Sequence, residues 1–148
     1  MLFRSVVEPG TEEEARTRLA RIGFDNVLGA LRDPLATFIA HPEHVTQLSR
    51  LSVEGLRDRI AQVDDLVLVD VRNPGEVEHG SIPGARHISL PALLRRLDEL
   101  DRSTPTVVFC AGGYRSAIAS SLLRAHGFSD VSDLLGGYTA WNSAPAAA

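Results

Sequence analysis

The chain has little that would staple, anchor or strongly charge it. Its 148 residues include a single cysteine, which excludes an internal disulfide and any zinc site built from several cysteines. His41, His44, His87 and His126 show no ligand spacing, so no metal and no other cofactor is expected. No apolar run approaches a membrane span, and the N-terminus lacks the basic-then-apolar order of a signal peptide, so no membrane contact is expected. The net charge is only −4, with bases scattered among acids, which leaves no field for nucleic acid. A reducing, cytoplasmic setting follows as the expectation, and it would keep the lone thiol usable. What remains is a length suited to one ordinary domain, with 44% hydrophobic residues to build a core.

The lone cysteine stands in the run Thr106-Val-Val-Phe-Cys110-Ala-Gly-Gly-Tyr-Arg115-Ser116. A short apolar strand ends at Cys110, a glycine-containing loop follows, and Arg115 opens an amphipathic helix. That order sets a thiol among backbone N–H groups at a helix N-terminus, where a thiolate is stabilised. Free cysteines often serve as small buried hydrophobes. Here Gly112 and Gly113 permit inward-turned amides, and Arg115 brings a fixed positive charge, so Cys110 reads as a nucleophile.

Strand and helix signals alternate from residue 51 onward. Ser52 caps a helix over about Val53 to Ala61, and Leu66 to Val71 is an apolar strand of the kind buried on both faces of a parallel sheet. Pro74 suits the first turn of a short helix through Val77. A short strand near Ala85 to Ile88 precedes a helix from Leu90 to Leu97 capped by Ser89. Thr106 to Cys110 is the second apolar strand, Arg115 to His126 a helix stopped by Gly127, and Val131 to Leu134 the last strand. The alternation predicts an α/β fold around a mostly parallel sheet, with the site beyond the carboxyl ends of its strands, where Cys110 and Asp70 both fall.

The first fifty residues make sense when the chain is compared with itself. Ala15 to Val27 parallels Ala119 to Val131 at a constant offset of 104, through Gly23-Phe24 and Gly127-Phe128. Carried back, the offset makes Leu2 to Val6 a strand and stands Val6 where Cys110 stands. Residues 1–31 therefore read as a degenerate half-unit without a nucleophile, 32–50 as a linker, and 51–148 as the main domain. Half of such a fold rarely buries its own apolar face, so the half-unit is expected to cover a sheet edge or to form a homodimer contact.

Four blocks, in order, carry a resemblance: Asp70-Val-Arg72; Glu76 with His79-Gly80-Ser-Ile-Pro-Gly84-Ala85; Cys110 to Ser116; and Leu135-Gly-Gly-Tyr138-Thr-Ala-Trp141. Over residues 51 to 145 the chain resembles a rhodanese-homology domain. This implies a three-layer fold and sulfurtransferase activity with no cofactor. The stretch from Thr17 to Gly29 is similar to the part that precedes the rhodanese domain in persulfide dioxygenase–rhodanese fusions, whose histidine-rich metal motif is absent here. That implies a stand-alone derivative or a piece of a longer relative, with contact to a persulfide dioxygenase-type partner as one expectation.

The resemblance also separates reactions. Rhodanese-type enzymes have four residues between cysteine and arginine, as here, whereas the related cysteine phosphatases have five, a wider cradle suited to a phosphate ester. It implies that Cys110 takes the outer sulfur of thiosulfate or a thiol persulfide and passes it to a thiol or cyanide. Arg115 would stabilise the loop anion or bind the donor, and Ala111, Gly112, Gly113, Tyr114 and Ser116 would form the substrate cradle. Ser116 is expected chiefly to cap the helix, and Tyr114 to shape donor choice. Asp70 is read as support accepting loop amides, and Arg72 as pairing with Glu76 or a similar acid. Arg86 is a further candidate to face the pocket, His79 a loop hydrogen-bonder, and Tyr138 and Trp141 packing for the C-terminal end. Two alternatives stand beside this: a catalytically inactive binding or regulatory module, and a phosphatase or arsenate reductase, which the four-residue spacing opposes.

Overall fold

A computed structural model describes residues 3–145 and divides the chain into two units, 1–47 and 48–148. Leu2, expected to begin the first strand, lies outside the described residues. The first unit runs β1 (Phe3–Val6), α1 (Glu12–Arg21), β2 (Val27–Leu31) and α2 (Pro34–Ala40), followed by a 3-10 turn over Pro42–His44. Glu12, Glu13 and Glu14 in the first turn of α1, and Arg18 and Arg21 in its last, complement the helix dipole. β1 and β2 form a parallel pair, and none of α1 or α2 is buried.

Residues 32–50, expected to be a linker, are structured instead. Asp33 takes a left-handed conformation at φ 47 and accepts a hydrogen bond from Ala36 N at 3.1 Å, and Pro34 pre-sets the first turn of α2. Ser49 already belongs to the next strand. The first unit thus extends past residue 31.

The second unit contains β3 (Ser49–Leu51), α3 (Val53–Gln62), β4 (Val67–Asp70), α4 (Pro74–Val77), β5 (Arg86–His87), α5 (Leu90–Leu93), β6 (Thr106–Phe109), α6 (Tyr114–Ala125), β7 (Val131–Leu134) and α7 (Gly137–Ser143). Its five strands lie in the order β3-β7-β6-β4-β5, and every pairing is parallel. β6 is central and buried along its whole length, as an apolar strand with helices on both faces must be. On one face Val69, Val71, Leu93, Val108, Leu123 and Phe128 meet; on the other Leu56, Leu68, Val107, Phe109 and Leu134. Each large aliphatic side chain removed from water here contributes about 1.5–3 kcal/mol, which fixes the three layers against one another.

Ser52 caps α3 as expected, its hydroxyl accepting from Gly55 N at 3.1 Å. The helix expected from Leu90 to Leu97 is shorter: α5 passes into 3-10 turns over Leu94–Glu99. The break falls at Arg96 (φ −118), whose guanidinium holds Glu99 at 2.6 and 2.7 Å and reaches His87 O at 3.3 Å. β3 and α7 were not legible in the sequence pattern.

The offset of 104 is also visible within each unit's own geometry. Arg4 pairs with Gly29 in β1/β2, and Val108 pairs with Asp133 in β6/β7. Phe24 N donates to Leu19 O at 3.0 Å, and Phe128 N to Leu123 O at 3.2 Å. Gly23 and Gly127 stop their helices at φ 87 and 89. Among the described residues no helix is long and apolar enough to cross a membrane.

Candidate active site

Register brings the site together. Asp70 of β4 pairs with Phe109 of β6, so Asp70 and Cys110 leave the sheet side by side at its carboxyl edge. Cys110 is buried, 1% exposed, at the end of the central strand. Gly113, at φ 104, precedes the first turn of α6 and donates its amide to Cys110 Sγ at 3.1 Å. Ser116 Oγ lies 3.7 Å from the same sulfur. Burial pushes the Cys110 thiol up, but the amides of Ser116, Gly113 and Gly112 and the Ser116 hydroxyl outweigh it and hold the thiol below its ordinary value.

What keeps these amides inward is a contact with α7. Tyr138 N donates to Cys110 O at 2.7 Å and Thr139 N to Ala111 O at 3.0 Å, so the loop's carbonyls are bound on the side away from the sulfur. Only glycine fits at the hinge: a Cβ on Gly137 would stand 2.2 Å from Cys110 O, and its φ is +57. This use of Gly137 was missed in the sequence, where the Gly-Gly pair reads only as the end of a motif. Gly112, by contrast, has open space around it and needs no left-handed conformation. The backbone freedom expected of both loop glycines is required of Gly113 alone.

Arg115 is engaged rather than free. Its Nη1 and Nη2 donate to the two Glu76 carboxylate oxygens at 2.6 and 2.7 Å, and the guanidinium also feels the Cys110 sulfur. Hydrogen bonds from Arg115 hold the Glu76 carboxyl down at about 2, with burial opposing and the Asn73 amide assisting at 3.1 Å. Arg72, expected to pair with Glu76 or a similar acid, takes the acid Asp70, with Nη2 2.6 Å from Oδ2, and reaches only the backbone carbonyl of Glu76, at 3.3 Å. The shorter reach wins: Asp70 is two residues away on the same strand end, and Arg115 already occupies Glu76.

Asp70 gathers donors from the segment that follows β4. It accepts the Arg72 amide at 3.0 Å and the Ser81 hydroxyl at 2.7 Å, and these bonds with the Arg72 guanidinium overcome burial to keep its carboxyl below the usual value. Arg72 goes on to bind Gly80 O at 2.7 Å and lies over the Tyr138 ring at 4.2 Å. Asp70 and Arg72 thereby tie the β4 exit to Gly80 and to the Tyr138 ring of α7.

Ser116 does not cap α6. It lies inside the helix, fully buried, and its hydroxyl donates back to Gly113 O at 3.0 Å, because the helix already begins at Tyr114. Tyr114, the first residue of α6, is 82% exposed. Arg86 faces away, donating to Glu99 O at 3.0 Å. His79 Nδ1 meets Gly75 O at 2.9 Å, the loop role expected. Asp133 and Arg50, absent from the sequence-based list, also reach the site. The signal for Asp133 was a carboxylate inside the last strand, β7, which is buried along its whole length; Arg50 carried none.

Comparison with known proteins agrees with this geometry. Residues 52–144 match the family model described as rhodanese-like domain. The chain is 33% identical over 94 residues to a sulfurtransferase of Allochromatium vinosum, covering 64% of this chain and 88% of that one. It is 35% identical over 81 residues to thiosulfate sulfurtransferase GlpE of Pseudoalteromonas translucida, covering 55% and 77% respectively. Among solved structures, a rhodanese-related protein from Thermoplasma volcanium overlays with a TM-score of 0.59 at 29% identity, covering 66% of this chain and 95% of that one. With the family model spanning the whole parallel sheet after β3 and the Cys110 loop, the chain belongs to the rhodanese-like domain family.

Proposed function

We propose that this protein is a rhodanese-type sulfurtransferase that moves sulfane sulfur through a Cys110 persulfide. The observation that carries the reading is the Cys110 cradle: a buried sulfur met by the Gly113 amide at 3.1 Å and held below its ordinary thiol value. Similarity to proteins named sulfurtransferase and thiosulfate sulfurtransferase supports it. The Cys110 thiolate attacks the outer sulfur of thiosulfate or a thiol persulfide. A new S–S bond forms as the donor's S–S bond breaks, and sulfite or the donor thiolate leaves with the electron pair. A thiolate or cyanide then attacks the terminal sulfur, and Cys110 departs as thiolate. The reactive form is the Cys110 thiolate, which the cradle favours over the thiol.

The amides of Gly112, Gly113 and Ser116 hold the terminal sulfur in the way an oxyanion hole holds developing charge. Arg115, fixed by Glu76, supplies the positive field for an anionic donor. Exposed Tyr114, next to Gly113, shapes donor choice in this reading. Steady-state kinetics with thiosulfate and cyanide test the scheme. Parallel double-reciprocal lines are expected, and lines that converge would reject the free persulfide intermediate.

A further inference from the structure

We infer that Arg50 and Asp133 form a positioning pair that sets the ionisation of Cys110 through the Ser116 hydroxyl. Its importance for turnover rests on the sulfur-transfer reading above, while the geometry stands apart from it. Asp133 lies within β7 and is 0% exposed, a place where a carboxylate persists only with a built set of partners. Arg50, reaching from β3, provides one: Nε donates to Oδ1 at 2.9 Å and Nη2 to Oδ2 at 3.1 Å. Ser116 Oγ is the other, 3.4 Å from Oδ2.

The Ser116 hydroxyl carries one proton and faces three acceptors: Gly113 O at 3.0 Å, Asp133 Oδ2 at 3.4 Å and Cys110 Sγ at 3.7 Å. When Cys110 is a thiol, its S–H points at Ser116 Oγ and the hydroxyl proton goes to Gly113 O or Asp133. When Cys110 is a thiolate it can only accept, so the hydroxyl must turn toward it and leave those acceptors. The Asp133 charge opposes that turn and opposes a second anion nearby; Arg50 offsets it. Asp133 therefore restrains ionisation of the sulfur and Arg50 promotes it. Once Cys110 carries a second sulfur, the negative charge sits on the outer sulfur, and the Ser116 proton is free to return to Gly113 O or Asp133.

Arg50 also lies close behind the cradle. Its Nη2 lies 3.6 Å from where a Gly113 Cβ would stand, behind the residue whose amide donates to Cys110 Sγ. Of the other charged groups around the sulfur, Arg115 acts on it directly while paired with Glu76 from α4, and Asp70 is closed on Arg72 at the β4 exit. Arg50 and Asp133 are thus the pair connected to the sulfur through a hydroxyl whose proton is contested.

The rate of Cys110 alkylation by iodoacetamide as a function of pH tests this without any sulfur donor. Asp133→Asn is expected to lower the midpoint by about one pH unit, and Arg50→Gln to raise it by about as much. Arg50→Lys should stay near wild type, and the double variant Asp133→Asn with Arg50→Gln should return toward it. In a Ser116→Ala background the Asp133→Asn displacement should fall to less than half. If Arg50→Gln does not fold, the Asp133→Asn pair of measurements decides. Displacement of both single variants in the same direction, no displacement with Asp133→Asn, or an undiminished displacement without the Ser116 hydroxyl each overturns the inference. A protein that follows the expected alkylation pattern yet takes up no sulfur would reject the transfer reading and leave the pair standing.

Discussion

Glu76 and Arg115 face one another through two parallel hydrogen bonds, at 2.6 and 2.7 Å, across 39 residues of chain. The pair binds the short helix after β4 to the first turn of the helix behind the cysteine loop. Arg115 can therefore project its charge at the sulfur from a fixed place.

Glu76→Gln keeps an acceptor for Asn73 N but removes the charge that anchors Arg115. The pair is about one-third exposed, so solvent screening limits its loss to about 1 kcal/mol in denaturant unfolding at neutral pH. Sulfur loading should fall further, about tenfold, because a misplaced guanidinium is felt at the reacting atom. The carboxyl is lowered from 4.5 to about 2 on folding, so its contribution is complete above 4.5 and is lost as pH falls toward 2. Unfolding measured at pH 7 and pH 3 should show a smaller drop for Glu76→Gln than for wild type; an equal drop assigns the acid sensitivity elsewhere.

Two glycines in the same region should behave oppositely. Gly137→Ala drives a Cβ to 2.2 Å from Cys110 O at positive φ, and a loss of about 3 kcal/mol or more is expected with collapse of sulfur loading. Gly112→Ala meets open space and should stay within about 0.5 kcal/mol of wild type. Thermal unfolding of the two variants side by side checks the loop-anchoring role of α7, and similar Tm values would contradict it.

Tyr114 is 82% exposed, so Tyr114→Ala should leave stability within about 0.5 kcal/mol. The expected change is in donor choice. The ratio of loading rates for glutathione persulfide and thiosulfate should shift by about tenfold, against the larger donor, which loses an exposed aromatic surface beside the loop. An unchanged ratio removes Tyr114 from the donor site.

Much of this was readable from residue pattern because it is local. Val67 to Asp70 and Thr106 to Phe109 are apolar runs bounded by turn residues, and only a doubly covered parallel strand accommodates them. The Cys110 loop announces itself through Gly113 and the helix that follows. The illegible parts depend on contacts distant in sequence. Whether Arg72 would take Asp70 or Glu76 turned on Arg115 arriving from 39 residues away. α2 and α7 begin at residues with left-handed conformations, Asp33 and Gly136, which read as chain breaks until the structure shows a helix starting from each. Arg50 lies in a three-residue edge strand with no periodicity to mark it, and its bond to Asp133 spans 83 residues.

The sulfur-carrier role of Cys110 is tested most directly by intact mass of the reduced protein before and after thiosulfate, and separately after glutathione persulfide, for wild type and Cys110→Ser. A gain of about one sulfur atom (~32 Da) is expected on wild type alone, removed by cyanide or a thiol, as covalent catalysis through this thiolate requires. A folded, reduced wild-type protein that gains no mass from either donor, or a Cys110→Ser variant that gains the same mass, would contradict it.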